Sequence, residues 1–285
     1  MSSRANATKP LIIKRFLKLF LLGLTLWALP LAQAWADVKD IRSSDNNFEL
    51  DVGAENLHYK ETASGTALDS ETGWMPSGAV GIGFLAKQTS SLSNLYFHLD
   101  GSGAFGNTNY NGALCDIYGD CTPYQSTTHD QIYHVSGKLG RAFQLGNIAM
   151  FTPFADIGYR YWNRELTGIG GYTEDYSHGD AMGGALLQFS PLKKWVLSAS
   201  GEIGTTFSPS MRTQGETYNL QDRTIWEATG KIGYSLTKRL ELVGTVDYTD
   251  FKYGASPVDE NGYYEPDSYS RELTTLIGIS YHFGA

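Results

Sequence analysis

Residues 270–283 read S-R-E-L-T-T-L-I-G-I-S-Y-H-F. Leu273, Thr275, Ile277, Ile279, Tyr281 and Phe283 fall on one side of a period-two alternation, and Glu272, Thr274, Gly278, Ser280 and His282 on the other. Successive side chains of a strand point to opposite faces, so this stretch reads as a strand with one apolar face ending in aromatics and one small, polar face. Such a strand suits lipid on one side and a wet interior on the other.

Nine earlier segments repeat the pattern between turn residues: 47–59, 77–86, 94–105, 131–143, 151–164, 180–189, 195–207, 226–236 and 240–253. In 151–164, Pro153, Ala155, Ile157, Tyr159 and Tyr161 alternate with Asp156, Gly158, Arg160, Trp162 and Arg164. The segment 180–189 is the least regular, because Gly183-Gly184 blurs the alternation. Short connections (87–93, 144–147, 190–194, 237–239) alternate with long ones (61–76, 106–130, 165–179, 208–225, 254–269). Short periplasmic turns and long external loops are the asymmetry of an outer-membrane barrel. A soluble β-sandwich has no need of it. Beyond the N-terminal region no run approaches the roughly 18 apolar residues of a spanning helix, and in lipid only helices and closed barrels satisfy their backbone polar groups. The pattern therefore predicts an all-β chain, a transmembrane antiparallel up-and-down β-barrel of about ten strands, with eight or twelve as alternatives.

Residues 1–18 hold Arg4, Lys9, Lys14, Arg15 and Lys18 and no acid; an apolar run follows over 19–31, and Ala34-Trp35-Ala36 supplies small residues for cleavage. This layout predicts a secretory signal peptide over 1–36 and one barrel domain over 37–285. Cleavage would leave 17 of the 22 Lys and Arg against 30 Asp and Glu. So acidic a chain argues against nucleic acid as a partner, since phosphate binding needs a basic surface.

With its signal through Ala36, its alternating strands and its Tyr281-x-Phe283 ending, the chain resembles bacterial outer-membrane β-barrel proteins of the porin-like and opacity-like kind. The resemblance covers nearly the whole chain and concerns architecture, which hosts many unrelated functions. It implies a bacterial outer-membrane location with lipid and lipopolysaccharide as surroundings. It also implies barrel-assembly machinery as a partner during biogenesis, with Tyr281 and Phe283 as the assembly signal. The chain departs from the pattern in carrying Gly284-Ala285 after the phenylalanine.

Cys115 and Cys121, the two cysteines, both fall in the longest predicted loop. An even count in an exported chain points to a disulfide between them, with free thiols as the alternative. A zinc site would need further His or Cys nearby. The long connections are rich in acids but none has EF-hand spacing, so no metal is predicted. Gly81 to Ala86 matches G-x-G-x-x-A without a following helix pattern, so no dinucleotide or other cofactor is predicted either.

Two pairs bear on catalysis. His98 and Asp100 share an inner wall, as does an Asp/His pair in omptins, the ten-stranded outer-membrane proteases. No double-Asp partner faces them, because Asp247 and Asp250 are three apart and lie on opposite faces. His134-Val135-Ser136 resembles the His-x-Ser of outer-membrane lipid A deacylases, on two residues of common types. Neither makes a catalytic constellation, so no catalytic residue is predicted, and the expected role of both is interior hydrogen bonding.

The inner faces also carry Asp100, Lys138, Asp156, Arg160, Arg164, Glu202, Lys231 and Asp247. Opposite charges in a narrow lumen are expected to pair and cross-link its wall, since a barrel near eight strands is filled by its own side chains; the alternative is a thin pore lined by the same charges. The expected role is that of a non-enzymatic integral outer-membrane protein serving envelope integrity, surface ligand contact or restricted passage of small solutes. The alternative is an outer-membrane hydrolase, an omptin-like protease or a lipid A-modifying enzyme.

Overall fold

Period-two alternation builds nearly everything in this molecule. The structure, a computed structural model, describes residues 38–63, 65–88, 91–115 and 120–283. The predicted signal peptide lies outside them. After a short helix α1 (Val38–Ser44) come β1 (Asn47–Ala63), β2 (Thr66–Leu85), β3 (Leu95–Cys115), β4 (Cys121–Arg141) and β5 (Phe143–Leu145). Then follow β6 (Ala149–Leu166), β7 (Thr173–Phe189), β8 (Trp195–Thr213), β9 (Glu216–Asn219), β10 (Thr224–Ser235), β11 (Leu240–Tyr253) and β12 (Asp267–His282).

These segments form ten staves, since β5 continues β4 beyond Ala142 and β9 leads into β10. Every stave pairs antiparallel with its sequence neighbours, and β12 pairs with β1 from Asn47↔His282 to Thr62↔Asp267. The sheet closes into a ten-stranded barrel. Closure leaves no open edge, so the ladder satisfies the wall's backbone groups without water.

The wall's outer face is apolar over one half only. Leu50, Ile82, Leu99, Val135, Ile157 and Ile277 are exposed there. Aromatics rim this belt, with Phe84, Phe189, Trp195 and Tyr281 near the short turns and Tyr133, Tyr159, Phe207 and Trp226 on the other side. Beyond the second rim the outward positions turn polar, as at Asn107, Asn109 and Asn111 on β3 and Thr127, His129 and Gln131 on β4. Spanning lipid needs about 9–11 residues per tilted strand. Strands of 17 to 21 residues such as β1, β2, β3 and β4 therefore project well past it.

That projection corrects the predicted loops. Residues assigned to 61–76, 106–130, 165–179 and 208–225 are mostly strand, and 254–266 is the one long connection that persists among the described residues. Outside the lipid an outward face has no reason to be apolar, so the hydrophobic alternation fades while the ladder continues. Tight turns then suffice. Gln214 and Gly215 both have positive φ, 49° and 89°, as a two-residue hairpin between β8 and β9 requires. Cys115 and Cys121 likewise do not sit within a long loop; they face each other at the last rung of the β3–β4 ladder.

Candidate functional site: the lumen

At the short-turn end the lumen is stopped by α1. Its seven residues are too few for an independent helix, so tertiary contacts hold it. Val38 and Ile41 share one face and pack on Leu85, Tyr96, Ala142, Met150 and Val196. Arg42 donates to Asn94 Oδ1 at 2.9 Å and to the Ala86 carbonyl at 2.5 Å. Ser44 donates to Glu241 at 3.1 Å, Ser43 bonds His282 at 3.1 Å, and Gln188 donates to Asp45 at 2.6 Å. The plug is thus tied to four regions of the wall.

A second closure lies near the outer rim of the apolar belt. Leu57, Met75, Ile132, Trp162, Tyr176 and Phe251 belong to an apolar layer that fills the bore. Its rings interlock: Trp162 lies 5.1 Å from Tyr176 and 5.0 Å from Tyr59, and Tyr176 lies 5.5 Å from Tyr253. Aromatic contacts at such distances add to the area they bury. The Trp162 indole donates to Asp130 at 2.8 Å, so its one polar atom is satisfied.

Above that layer, outside the lipid, Arg164 is fully buried among acids. Its guanidinium lies 2.7 Å from Glu71 and 3.5 Å from both Glu61 and Asp69, and it is bonded to Glu174. Tyr176 donates to Glu265 at 2.6 Å, which brings the 254–266 connection into the same cluster. Burial pushes the carboxyls of Asp69 and Asp130 up to about 6, and Glu265, buried beside Glu174, up to about 8. Glu61 is also held well above its ordinary value, through burial and the neighbouring Asp69. One cation facing this many acids keeps protons on some of them.

Between the two closures lies a polar chamber of ≈ 250 Å³. Lys138 Nζ lies 2.5 Å from Glu202, 3.8 Å from Asp156 and 3.9 Å from Glu227. Lys231 lies 2.6 Å from Glu49, and Arg160 is bonded to Glu272. Asp100 accepts from Ser136 at 3.2 Å and lies 3.7 Å from His98. Asp247 lines the chamber without a described ion pair. Of the eight charges read from the sequence, Asp100, Lys138, Arg160, Lys231 and Asp247 line this chamber, Asp156 and Glu202 join it through Lys138, and Arg164 stands apart, above the aromatic layer. His134 meets Asp180 at 3.3 Å, and Ser136 turns to Asp100, so the sequence neighbours His134 and Ser136 serve different partners. Tyr281 and Phe283 face outward at the lower rim, ring centroids 6.2 Å apart.

Glu61, Asp69, Glu71 and Glu174 were not legible as site residues, because all four fall in the predicted connections 61–76 and 165–179. Their signal was present as Tyr59-x-Glu61 and Asp69-x-Glu71, the same period two with polar residues inward.

The structure is similar in fold to the outer membrane protease OmpT of Escherichia coli, at 10% identity over 84% of this chain and 98% of that one, with a TM-score of 0.55. A closed ten-stave wall, a lipid belt and that shared fold decide the class. The chain has the fold of an outer-membrane β-barrel. The translocator domain of the autotransporter NalP from Neisseria meningitidis matches this barrel at 12% identity over 95% of each chain, with a TM-score of 0.38. The Pseudomonas putida toluene transporter TodX matches at 10% identity over 86% and 92%, with a TM-score of 0.34. Neither of these two carries weight at such scores. No protein-family model and no curated protein matches this barrel.

Proposed function

We propose that this barrel is a non-enzymatic surface protein of the outer membrane, a sealed wall that holds a tall polar rim above the lipid. The observation that carries the reading is the double closure of the bore, by α1 below and the Trp162–Tyr176 layer above. A filled bore favours envelope integrity or ligand contact at the rim over free passage of solutes. The depth of the histidines supports the absence of an enzymatic role. The His134–Asp180 and His98–Asp100 pairs lie beneath the aromatic layer, out of reach of a protein or lipid substrate. OmpT is a protease, but at 10% identity the likeness extends to fold alone.

The rim reading includes a Cys115–Cys121 disulfide, supported by their direct pairing and by the oxidising compartment of an exported protein. It includes lipid and lipopolysaccharide around the belt, and assembly machinery reading Tyr281 and Phe283. Proteoliposomes test the main claim. They are expected to swell in small sugars no faster than empty vesicles, and to turn over neither peptides nor lipid A. Sugar-selective swelling would restore a transport role. Turnover lost in His134→Ala or His98→Ala would make the protein an enzyme.

A further inference from the structure

The chamber wall has too much negative charge for its own cations. Each base is already engaged: Lys231 by Glu49, Arg160 by Glu272, and Lys138 by Glu202. Five more carboxylates face the same space, those of Asp45, Asp51, Glu55, Asp100 and Asp247, and none forms a described ion pair with Lys or Arg. Three of these are more than nine-tenths buried and hold an oxygen with no hydrogen-bond partner: Asp45 Oδ2, Asp51 Oδ1 and Glu55 Oε1. A buried ionised carboxylate with an unpaired oxygen is costly, so each of these groups calls either for a proton or for a counter-charge that the wall's own Lys and Arg do not supply.

We propose that the chamber is a cation site, in which a hydrated divalent ion of the Mg²⁺ type sits among the carboxylates of Asp51, Glu55, Asp100 and Asp247. Among the described residues no three such side chains converge to ligate an ion directly. The ion therefore keeps its water shell and is held by hydrogen bonds from that water to the carboxylates. Mg²⁺ dehydrates reluctantly and holds an octahedral shell. A water takes about 30 Å³ of liquid, so a chamber of ≈ 250 Å³ holds an ion with six waters. The ion cross-links β1, β3 and β11 through the bore and stabilises the wall.

The test uses the full refolded chain in neutral detergent at constant ionic strength. Native mass spectrometry should find Mg²⁺ retained by the barrel, and the urea midpoint should rise from EDTA to MgCl2 more than with added NaCl. Asp51→Asn with Glu55→Gln should abolish retention, and in EDTA this variant should be more stable than wild type because repulsion is relieved. If it fails to fold, Asp247→Asn gives the same readout. A midpoint equal in EDTA and MgCl2 would mean that protons neutralise the wall, and would overturn the proposal. So would a Mg²⁺ effect that survives in the chamber variant but is lost in Asp259→Asn with Glu260→Gln, placing the ion at the outer rim.

Discussion

Arg164 shows how single residues hold the half of the barrel that no lipid supports. It is fully buried, with four carboxylates in ion-pair reach and the Tyr59 ring 5.0 Å from its guanidinium. Removing one partner of a buried ionic network leaves uncompensated charge and costs about 3–5 kcal/mol. Arg164→Met should lower stability by about that much at pH 8, measured by urea unfolding, and by less at pH 5, where the acids take up protons. A neutral substitution at pH 8 would refute this placement of Arg164. Asp69 and two further buried acids of this upper half, Asp130 and Glu265, set the pH dependence of the wild type. The carboxyls of Asp69 and Asp130 are raised from 3.8 to about 6, and Glu265 from 4.5 to about 8, so the folded state binds protons more tightly than the unfolded one. Their contribution is fully present below those ordinary values and is lost as pH rises through 6 to 8. Amide exchange in the β1–β2 and β6–β7 hairpins should be faster at pH 8.5 than at 5.5, after correction for intrinsic rates. Equal protection at the two pH values would contradict it.

At the scale of the strand, β6 states the division between lipid and lumen most plainly. Ile157 is 63% exposed on the belt while Asp156 is buried beside Lys138. Ile157→Arg places a cation in hydrocarbon at a cost of about 2–4 kcal/mol. Asp156→Asn should cost less, because Glu202 remains as the closer partner of Lys138, at 2.5 Å. Urea titrations of folding into lipid vesicles compare the two, and the reverse order would mean the faces are exchanged. Alternation made the lipid-spanning half of each strand legible in the sequence, with its inward and outward residues. It lost the upper half, where polar residues such as Asn109 and His129 stand outside and the ladder runs on without an apolar partner for water to avoid. It also missed α1, whose seven residues carry one apolar pair, Val38 and Ile41, and owe their helix to the wall around them. Gly183-Gly184 obscured β7 for a packing reason. Gly184 points inward, where a Cβ would meet Glu202 and the Phe154 ring at 2.6 and 2.9 Å. Charges on inward faces were readable. Their division into a chamber and an upper cluster was not, because depth in the bore depends on strand register.

Across the whole molecule, the bore is closed twice, and the two closures are independent because different residues make them. Losing one should leave the other in place. Conductance of the purified, refolded barrel in planar bilayers tests this most directly. The wild type should show no stable single-channel steps. A variant lacking residues 38–44 should stay closed, since the Trp162–Tyr176 layer still fills the bore. Adding Trp162→Gly and Tyr176→Gly to that deletion should open regular steps. Large, stable steps in the wild type, or in the variant lacking only residues 38–44, would contradict the sealed barrel.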